Sequence, residues 1–264
     1  MRVLLVRAQL QDETLPTDFQ VAADEVREAL QGTSVYLVGM MGSGKSTVGK
    51  LVAKALKYSF FDSDTLIEQL SGTTIAEIFA SEGEDAFRQV ETQVLQELAP
   101  FKECVIATGG GSVTRGINWG HMQHGIVIWL TGSPELLAGR VVGDGTSSRP
   151  LLSQEHGAHQ AQQQEQQQQH ADEYAKTVAR LTELLEDRRK QYEFADIQVP
   201  LEGDAGPDVG APTGVVAYRI LDSLRTRIKR DAAYREERKN FTIERAEDVP
   251  ATLRVVQSPA QHEP

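Results

Sequence analysis

"SVYLVGMMGSGKST", residues 34–47, is the stretch that decides the fold. It begins as a short apolar run that a glycine ends, which is typical of a buried strand. The remainder matches the pattern G-x-x-x-x-G-K-[ST], with Gly39, Gly44, Lys45 and Ser46 in the required places. The residues that follow repeat apolar side chains at helical spacing, so a helix begins directly after the loop. A strand, a glycine-rich loop and a helix in this order predict a site for the phosphates of a nucleotide.

Each residue type in this loop has a physical reason to be there. Glycine lets the backbone turn tightly, so that several N–H groups point at one phosphate. Lys45 is expected to reach the terminal phosphates, and the hydroxyl of Ser46 is expected to hold Mg²⁺. The residues of the loop expected to contact ATP are Gly39, Gly42, Ser43, Gly44, Lys45, Ser46 and Thr47.

Two carboxylates follow an aromatic, apolar run in "SFFDSD", residues 59–64. Alternation along a strand would point Asp62 and Asp64 to the same side, where like charges repel unless a cation lies beside them. We expect Asp62 to serve the Mg²⁺ ion, which offsets this repulsion. Two alternatives stay open: Asp62 as a solvated strand end, and Asp64 as the N-cap of a helix over residues 65–70.

Strands and helices alternate through the middle of the chain. Apolar runs predict five strands, the last of them weaker, at residues 34–39, 58–62, 104–108, 125–130 and 195–201. Helical periodicity predicts helices after the loop, after Ser81, from Ser133-Pro134, at 172–192 and at 213–230. Two spacings, Thr74/Glu77 and Ser81/Glu84, are typical of capping boxes. The alternation favours an α/β fold, in which helices cover both faces of a parallel sheet.

Composition divides the chain into three segments. Residues 1–33 form an acidic N-terminal lead-in with one short helix. The first residues of this segment are either disordered or the remnant of a transit peptide. Residues 34–230 form the nucleotide-binding domain, with a glutamine-rich, low-complexity insert at 156–170. Residues 231–264 form a charged tail that is predicted to lack stable structure.

Charge and cysteine content exclude several classes of protein. The 264 residues carry a formal net charge of -11, so the basic footprint of a nucleic-acid-binding protein is missing. Cys104 is the only cysteine, which rules out an intrachain disulfide. No apolar run approaches the roughly 18 residues that a transmembrane helix needs. We therefore expect neither nucleic acid nor a membrane as a partner.

Five motifs in order resemble one family. They are "GMMGSGKSTVGK" at 39–50, "FFDSD" at 60–64, "EIFASEGEDAFRQVE" at 77–91, "ATGGG" at 107–111 and "SSRPLL" at 147–152. Together they resemble shikimate kinase, over about residues 34–225, and most of all its plant-type members. The resemblance implies a three-layer P-loop kinase fold of the nucleoside-monophosphate-kinase type, with a five-stranded parallel sheet. It also implies transfer of the terminal phosphate of ATP to the 3-hydroxyl of shikimate, a polyhydroxylated carboxylate.

The resemblance assigns roles to residues. Asp64 would contact the shikimate hydroxyls and act as the base, with Asp62 on the magnesium side. Arg88 and Arg188 would bind the substrate carboxylate. The other assignments are the close approach of substrate at Gly109, Gly110 and Gly111, the lid arginine Arg149, and Arg140 near the adenine.

Elementary chemistry agrees with these roles. Two planar guanidinium groups suit a carboxylate substrate, and Glu91 lies within helical reach to hold that of Arg88. Lys45, Arg149 and Mg²⁺ would neutralise the phosphates during transfer. The alternative for each arginine is a solvated helix residue. Arg188 fits the R-x-x-x-Y spacing that the family resemblance implies, and Arg189 is a neighbour that could be confused with it.

Two other functions compete with this one. A catalytically silent relative would keep the fold as a binding protein, and a related small kinase would act on another polyol acid such as gluconate. The plant-type resemblance implies the plastid stroma, with the cytoplasm as the alternative. The family resemblance also implies a monomer.

Overall fold

The computed structural model of the chain describes residues 15–144, 163–204, 206–239, 241–245 and 253–257. The predicted lid arginine, Arg149, lies outside these ranges. So do the predicted transit-peptide remnant at the start of the chain and residues 156–162 of the glutamine-rich insert.

Eight helices and nine strands make up the described part of the chain. The helices are α1 (Phe19–Leu30), α2 (Lys45–Leu56), α3 (Ser63–Ser71), α4 (Ile75–Leu98), α5 (Gly116–Met122), α6 (Pro134–Asp144), α7 (Gln163–Tyr192) and α8 (Thr213–Lys239). The strands are β1 (Val35–Val38), β2 (Ser59–Asp62), β3 (Cys104–Ala107), β4 (Ile126–Thr131), β5 (Ile197–Pro200), β6 (Glu202–Gly203), β7 (Gly206–Gly210), β8 (Phe241–Arg245) and β9 (Leu253–Gln257). A single 3-10 turn at Ser112–Thr114 precedes α5.

Strands β1 to β5 form one parallel sheet in the order β2-β3-β1-β4-β5, which confirms the predicted five-stranded architecture. The carboxyl ends of parallel strands meet at the same edge of the sheet, where ligands of open α/β proteins bind. At this edge β1 leads into the nucleotide loop, β2 ends in Asp62 and β3 leads into the glycine triplet. These strands are neighbours in the sheet, so residues far apart in sequence converge on one site.

Burial explains why the central strands were easy to predict and β5 was not. All four residues of β1 and of β3 are buried, because helices cover both faces of the sheet. In β5, buried and exposed residues alternate, and the strand ends at Pro200. This pattern fits a strand at the edge of the sheet, where a proline removes no ladder hydrogen bond.

Helix α1 is the short helix predicted in the N-terminal lead-in. One face of it is buried in the main core, through Phe19, Ala22, Ala23, Val26 and Leu30. Just before the helix, Asp18 accepts a 2.6 Å hydrogen bond from the hydroxyl of Tyr218 on α8. The lead-in is thus joined to the kinase-like segment through shared apolar packing.

Two helices are longer than predicted, and the predicted tail contains regular structure. Helix α7 begins at Gln163 rather than near residue 172, because glutamine is a good helix former even without an apolar face. Helix α8 continues to Lys239 rather than ending near residue 230, through residues of high helix propensity and the i,i+4 pair of Arg227 with Asp231. Beyond it, β8 and β9 pair in antiparallel fashion. No helix in the described ranges combines the length and apolar character needed to cross a bilayer.

Candidate active site

The glycine-rich loop lies between β1 and α2, as the sequence predicts. Gly42 and Gly44 have φ values of 79° and 77°, a left-handed conformation that residues other than glycine rarely adopt. A Cβ on Gly42 would also lie 2.8 Å from the carbonyl oxygen of Leu137, so the loop packs directly against α6. The ammonium of Lys45 lies across the loop, donating to the carbonyls of Gly39 at 2.8 Å and Met40 at 3.0 Å.

Asp62 joins the nucleotide loop to helix α3. Its Oδ2 accepts a 2.5 Å hydrogen bond from the hydroxyl of Ser46. Its Oδ1 accepts from the backbone N–H groups of Asp64 and Thr65, so that Asp62 is the N-cap of α3. The alternative in which Asp64 caps this helix was therefore wrong. The expected strand alternation was also wrong, because β2 ends at Asp62 and Asp64 already lies in the first helical turn.

Asp64 lies at the centre of the site, where its side chain is partly buried and its Oδ1 atom is enclosed. Its Oδ1 has no hydrogen-bond partner among the described residues. Burial, followed by the charges of Glu91 and Asp62, raises the pKa of Asp64 to about 6, while Lys45 and Arg88 act in the opposite direction. A carboxylate in a cavity with a pKa close to neutrality is suited to accept a proton.

Arg88 is held by two carboxylates of its own helix. Its Nη1 donates to Glu91 at 2.9 Å, which confirms the contact that the helical spacing predicted. Its Nε and Nη2 both donate to Oε1 of Glu84, at 3.3 and 3.0 Å. The predicted capping box of Ser81 with Glu84 was wrong, since the Ser81 hydroxyl donates to the carbonyl of Glu77 instead. The other box, at Thr74 and Glu77, is present.

Arg188 approaches Arg88 from helix α7. It is buried, and its Nη1 donates to the carbonyl of Gly110 at 3.2 Å. Tyr192, one turn later, donates to the same carbonyl at 2.7 Å. The neighbouring Arg189 is exposed, so the structure selects Arg188 as the residue that faces the site.

The glycine triplet leaves room for protein side chains as well as for a ligand. A Cβ on Gly109 would lie 2.5 Å from Oε1 of Glu91 and 2.8 Å from Oδ1 of Asp64. A Cβ on Gly111 would lie 2.1 Å from Nη2 of Arg88. The sequence predicted that these glycines allow the substrate to approach closely. In the structure they also make room for the side chains of Glu91, Asp64 and Arg88.

These residues surround two adjoining cavities. The larger, of about 770 Å³, contains the nucleotide loop and Arg140, which lies over the loop and donates to the carbonyl of Gly42 at 3.4 Å. The smaller, of about 360 Å³, contains Arg88 and Arg188. Asp64 lines both cavities and therefore lies where they meet.

Sequence reasoning missed several residues that line the cavities. Phe79 and Phe87 form a ring pair with centroids 4.8 Å apart beside the two arginines. Around the larger cavity, the missed residues are Leu201, Ala211, Pro212, Thr213 and Val216. Nothing in an apolar or loop residue by itself signals a ligand, although the aromatic pair at helical spacing within a matched motif offered a hint.

Comparisons with known proteins give consistent results. A family model described as shikimate kinase matches residues 41–202. The chloroplastic shikimate kinase of Solanum lycopersicum is 49% identical over 184 residues, which are 69% of this chain and 57% of that protein. The shikimate kinase of Synechococcus sp. (strain RCC307) is 43% identical over 209 residues, which are 79% of this chain and 91% of that protein. The chain spans a little over half the length of the plant relatives it matches.

Solved structures agree with the sequence matches. Shikimate kinase from Acinetobacter baumannii in complex with shikimate matches with a TM-score of 0.61 at 34% identity, covering 76% of this chain and 97% of that one. Shikimate kinase from Aquifex aeolicus matches with a TM-score of 0.53 at 30% identity, covering 73% of this chain and 96% of that one. These matches confirm the P-loop kinase fold. Since the family model spans more than half of the chain, the chain belongs to the shikimate kinase family.

Proposed function

We propose that the protein transfers the terminal phosphate of ATP to the 3-hydroxyl of shikimate. The observation that carries this proposal is the meeting of the two cavities at Asp64. One cavity holds the phosphate-binding loop, and the other holds two buried arginines suited to a carboxylate. A substrate with a carboxylate at one end and hydroxyls at the other would place a hydroxyl beside Asp64.

Each residue of the site has a part in this reaction. The loop and Lys45 hold and neutralise the phosphates, and Asp64 orients the attacking hydroxyl and accepts its proton. Arg88 and Arg188 bind the carboxylate and so fix the position of the substrate. Arg140 contacts the nucleotide side, and the role of Arg149 as the lid arginine stays a prediction.

The oxygen atoms beside the loop fit a magnesium ion. The hydroxyl of Ser46 and the carboxylate of Asp62 lie side by side, and hard oxygen ligands are those that Mg²⁺ prefers. We infer that these two residues hold the ion, directly or through its water shell. When bound, the ion neutralises charge on the phosphates.

A coupled assay of ADP release tests the proposed function. With ATP and Mg²⁺, we expect turnover with shikimate and roughly 10²-fold lower kcat/KM with gluconate, because an open-chain acid does not hold its carboxylate and its reacting hydroxyl at the fixed separation between the two arginines and Asp64. Turnover with gluconate alone would favour a kinase for another polyol acid. Absence of turnover with either, from protein that still binds ATP, would favour a catalytically silent relative.

The raised pKa of Asp64 predicts how the rate depends on pH. The base must be ionised to accept a proton, and kcat/KM reports the pKa of the free enzyme. We therefore expect kcat/KM for shikimate to fall as the pH decreases through about 6, the pKa of this carboxyl group. Steady-state rates between pH 5 and pH 8 measure this profile. An unchanged acid limb in Asp64→Asn would assign the titration to another group.

Asp62→Asn isolates the charge on the magnesium side. Asparagine is as good an N-cap as aspartate, so helix α3 should stay intact. The variant should need about 10- to 100-fold more Mg²⁺ for half-maximal rate, the range seen when a group supporting a metal is altered. Titration of the rate with Mg²⁺ at saturating ATP measures the change. An unchanged requirement would leave Asp62 with the capping role alone.

The relatives also suggest where the protein works. Three of the similar plant proteins are named as chloroplastic, and we infer the plastid stroma, with the cytoplasm as the alternative. A monomer that binds neither nucleic acid nor membrane stays our expectation.

A further inference from the structure

The guanidinium group of Arg88 is enclosed on several sides. Glu84 contacts it along the Nε–Nη2 edge, and Glu91 contacts Nη1. A Cβ on Gly111 would lie 2.1 to 2.6 Å from Nη2, Cζ and Nη1 alike, so the backbone of Gly111 covers one face of the group. The ring centroid of Phe87 lies 5.1 Å from Cζ. These contacts fix the orientation of the guanidinium plane, and with it the direction of the N–H donors that the contacts do not use.

Glu84 and Glu91 differ in their position relative to the smaller cavity. Glu91 is fully buried and lines the cavity together with Arg88. The side chain of Glu84 is 51% exposed, and Glu84 is absent from the described residues that line this cavity. Glu84 therefore holds Arg88 from outside and does not occupy the space that a ligand would take.

The contacts with Glu84 and Glu91 use only some of the N–H donors of Arg88. Arginine has five N–H donors, and the two glutamates use three of them, two at Glu84 and one at Glu91. Among the described residues, one N–H on Nη1 and one on Nη2 have no further acceptor, and a carboxylate can accept from both nitrogens at once.

The backbone sets the position of Glu84. Gly83 interrupts α4 with φ 83° and ψ 174°, a conformation essentially restricted to glycine, and the helix restarts at Glu84. A carboxylate is favourable in the first turn of a helix, and one four residues before an arginine lies on the same face.

We propose that Glu84 is a positioning residue, which fixes the plane of the Arg88 guanidinium so that its free end addresses the carboxylate of the substrate. The proposal rests on the proposed function, which supplies that carboxylate. Glu84 itself does not touch substrate. As a half-exposed ion pair it adds little stability, so its removal should alter substrate affinity much more than melting temperature.

Three variants test the proposal in the full chain with shikimate and ATP. Glu84→Ala should raise KM for shikimate about tenfold while kcat and KM for ATP stay within about twofold, the signature of lost binding without lost chemistry. Glu84→Gln keeps an acceptor oxygen and should raise KM only about threefold, since a neutral acceptor bonds more weakly than a charged one. Glu82→Ala removes an exposed carboxylate of the same segment and should leave all three constants unchanged.

A double-mutant cycle shows whether Glu84 acts through Arg88. In an Arg88→Lys background, which lacks the planar fork, Glu84→Ala should raise KM for shikimate less than about twofold further. Additive effects would overturn the proposal, as would a KM within twofold of wild type in both Glu84 variants. A lowered KM would also overturn it, because Glu84 would then compete with the substrate carboxylate.

The controls separate this proposal from the proposed function. Wild-type turnover with shikimate tests the function, and the Glu84 variants are interpreted only against that rate. A thermal melt of each variant checks folding, and Glu84→Gln carries the test if Glu84→Ala does not fold.

Discussion

Asp64→Asn should lower kcat by about 10²–10⁴, the range for loss of a positioned general base. Asparagine keeps the size of the side chain and can still orient a hydroxyl, but it cannot accept the proton. Because the loop and Lys45 are untouched, the affinity for ATP should barely change. Single-turnover rates with shikimate, together with equilibrium binding of ATP, measure both quantities. Near-full turnover in this variant would remove Asp64 from the chemistry.

The stability of the same variant distinguishes a catalytic from a structural role. The pKa of Asp64 rises from 3.8 to about 6 on folding, so the native state binds a proton more tightly than the unfolded chain does. The stability that this carboxyl group contributes should therefore be lost as the pH rises from 3.8 through about 6. Asp64→Asn removes this buried charge, so the variant should melt at the same or a higher temperature at pH 7. A lower melting temperature would indicate that Asp64 supports the fold.

Arg188→Lys should weaken shikimate binding by about 1.5–3 kcal/mol, the scale of a hydrogen bond to a charged group. Lysine keeps the charge but loses the planar fork that matches a carboxylate. Arg189→Lys is the matched control, because the neighbouring arginine is exposed on the same helix and should show unchanged affinity.

Equilibrium titration with shikimate at fixed nucleotide measures the loss in Arg188→Lys. The hydrogen bond of Arg188 to Gly110 could also be affected, so ATP binding and a thermal melt serve as checks on the surrounding structure. Unchanged shikimate affinity in Arg188→Lys would show that Arg88 binds the carboxylate without it.

The features that the sequence predicted correctly depend on neighbours along the chain. The nucleotide loop, its flanking helix, and the three central strands β1, β3 and β4 follow from glycine spacing and unbroken apolar runs. The contact of Glu91 with Arg88 follows from helical periodicity alone. Family resemblance then supplied the substrate, which no periodicity contains.

Other features needed the tertiary structure. Arg188 and Arg189 differ by one position, and a helix turns by about 100° between them, so packing of α7 against the core decided which one is buried. Asp62 rather than Asp64 caps α3, because β2 ends at Asp62 and the helix begins at the next residue, Ser63. Asp64 and Glu91 meet at Gly109, although they lie on separate helices and Gly109 follows a strand. Parallel strands bring their carboxyl ends to one edge of the sheet whatever their separation in the chain, and the raised pKa of Asp64 arises only there, where burial and a second carboxylate act together.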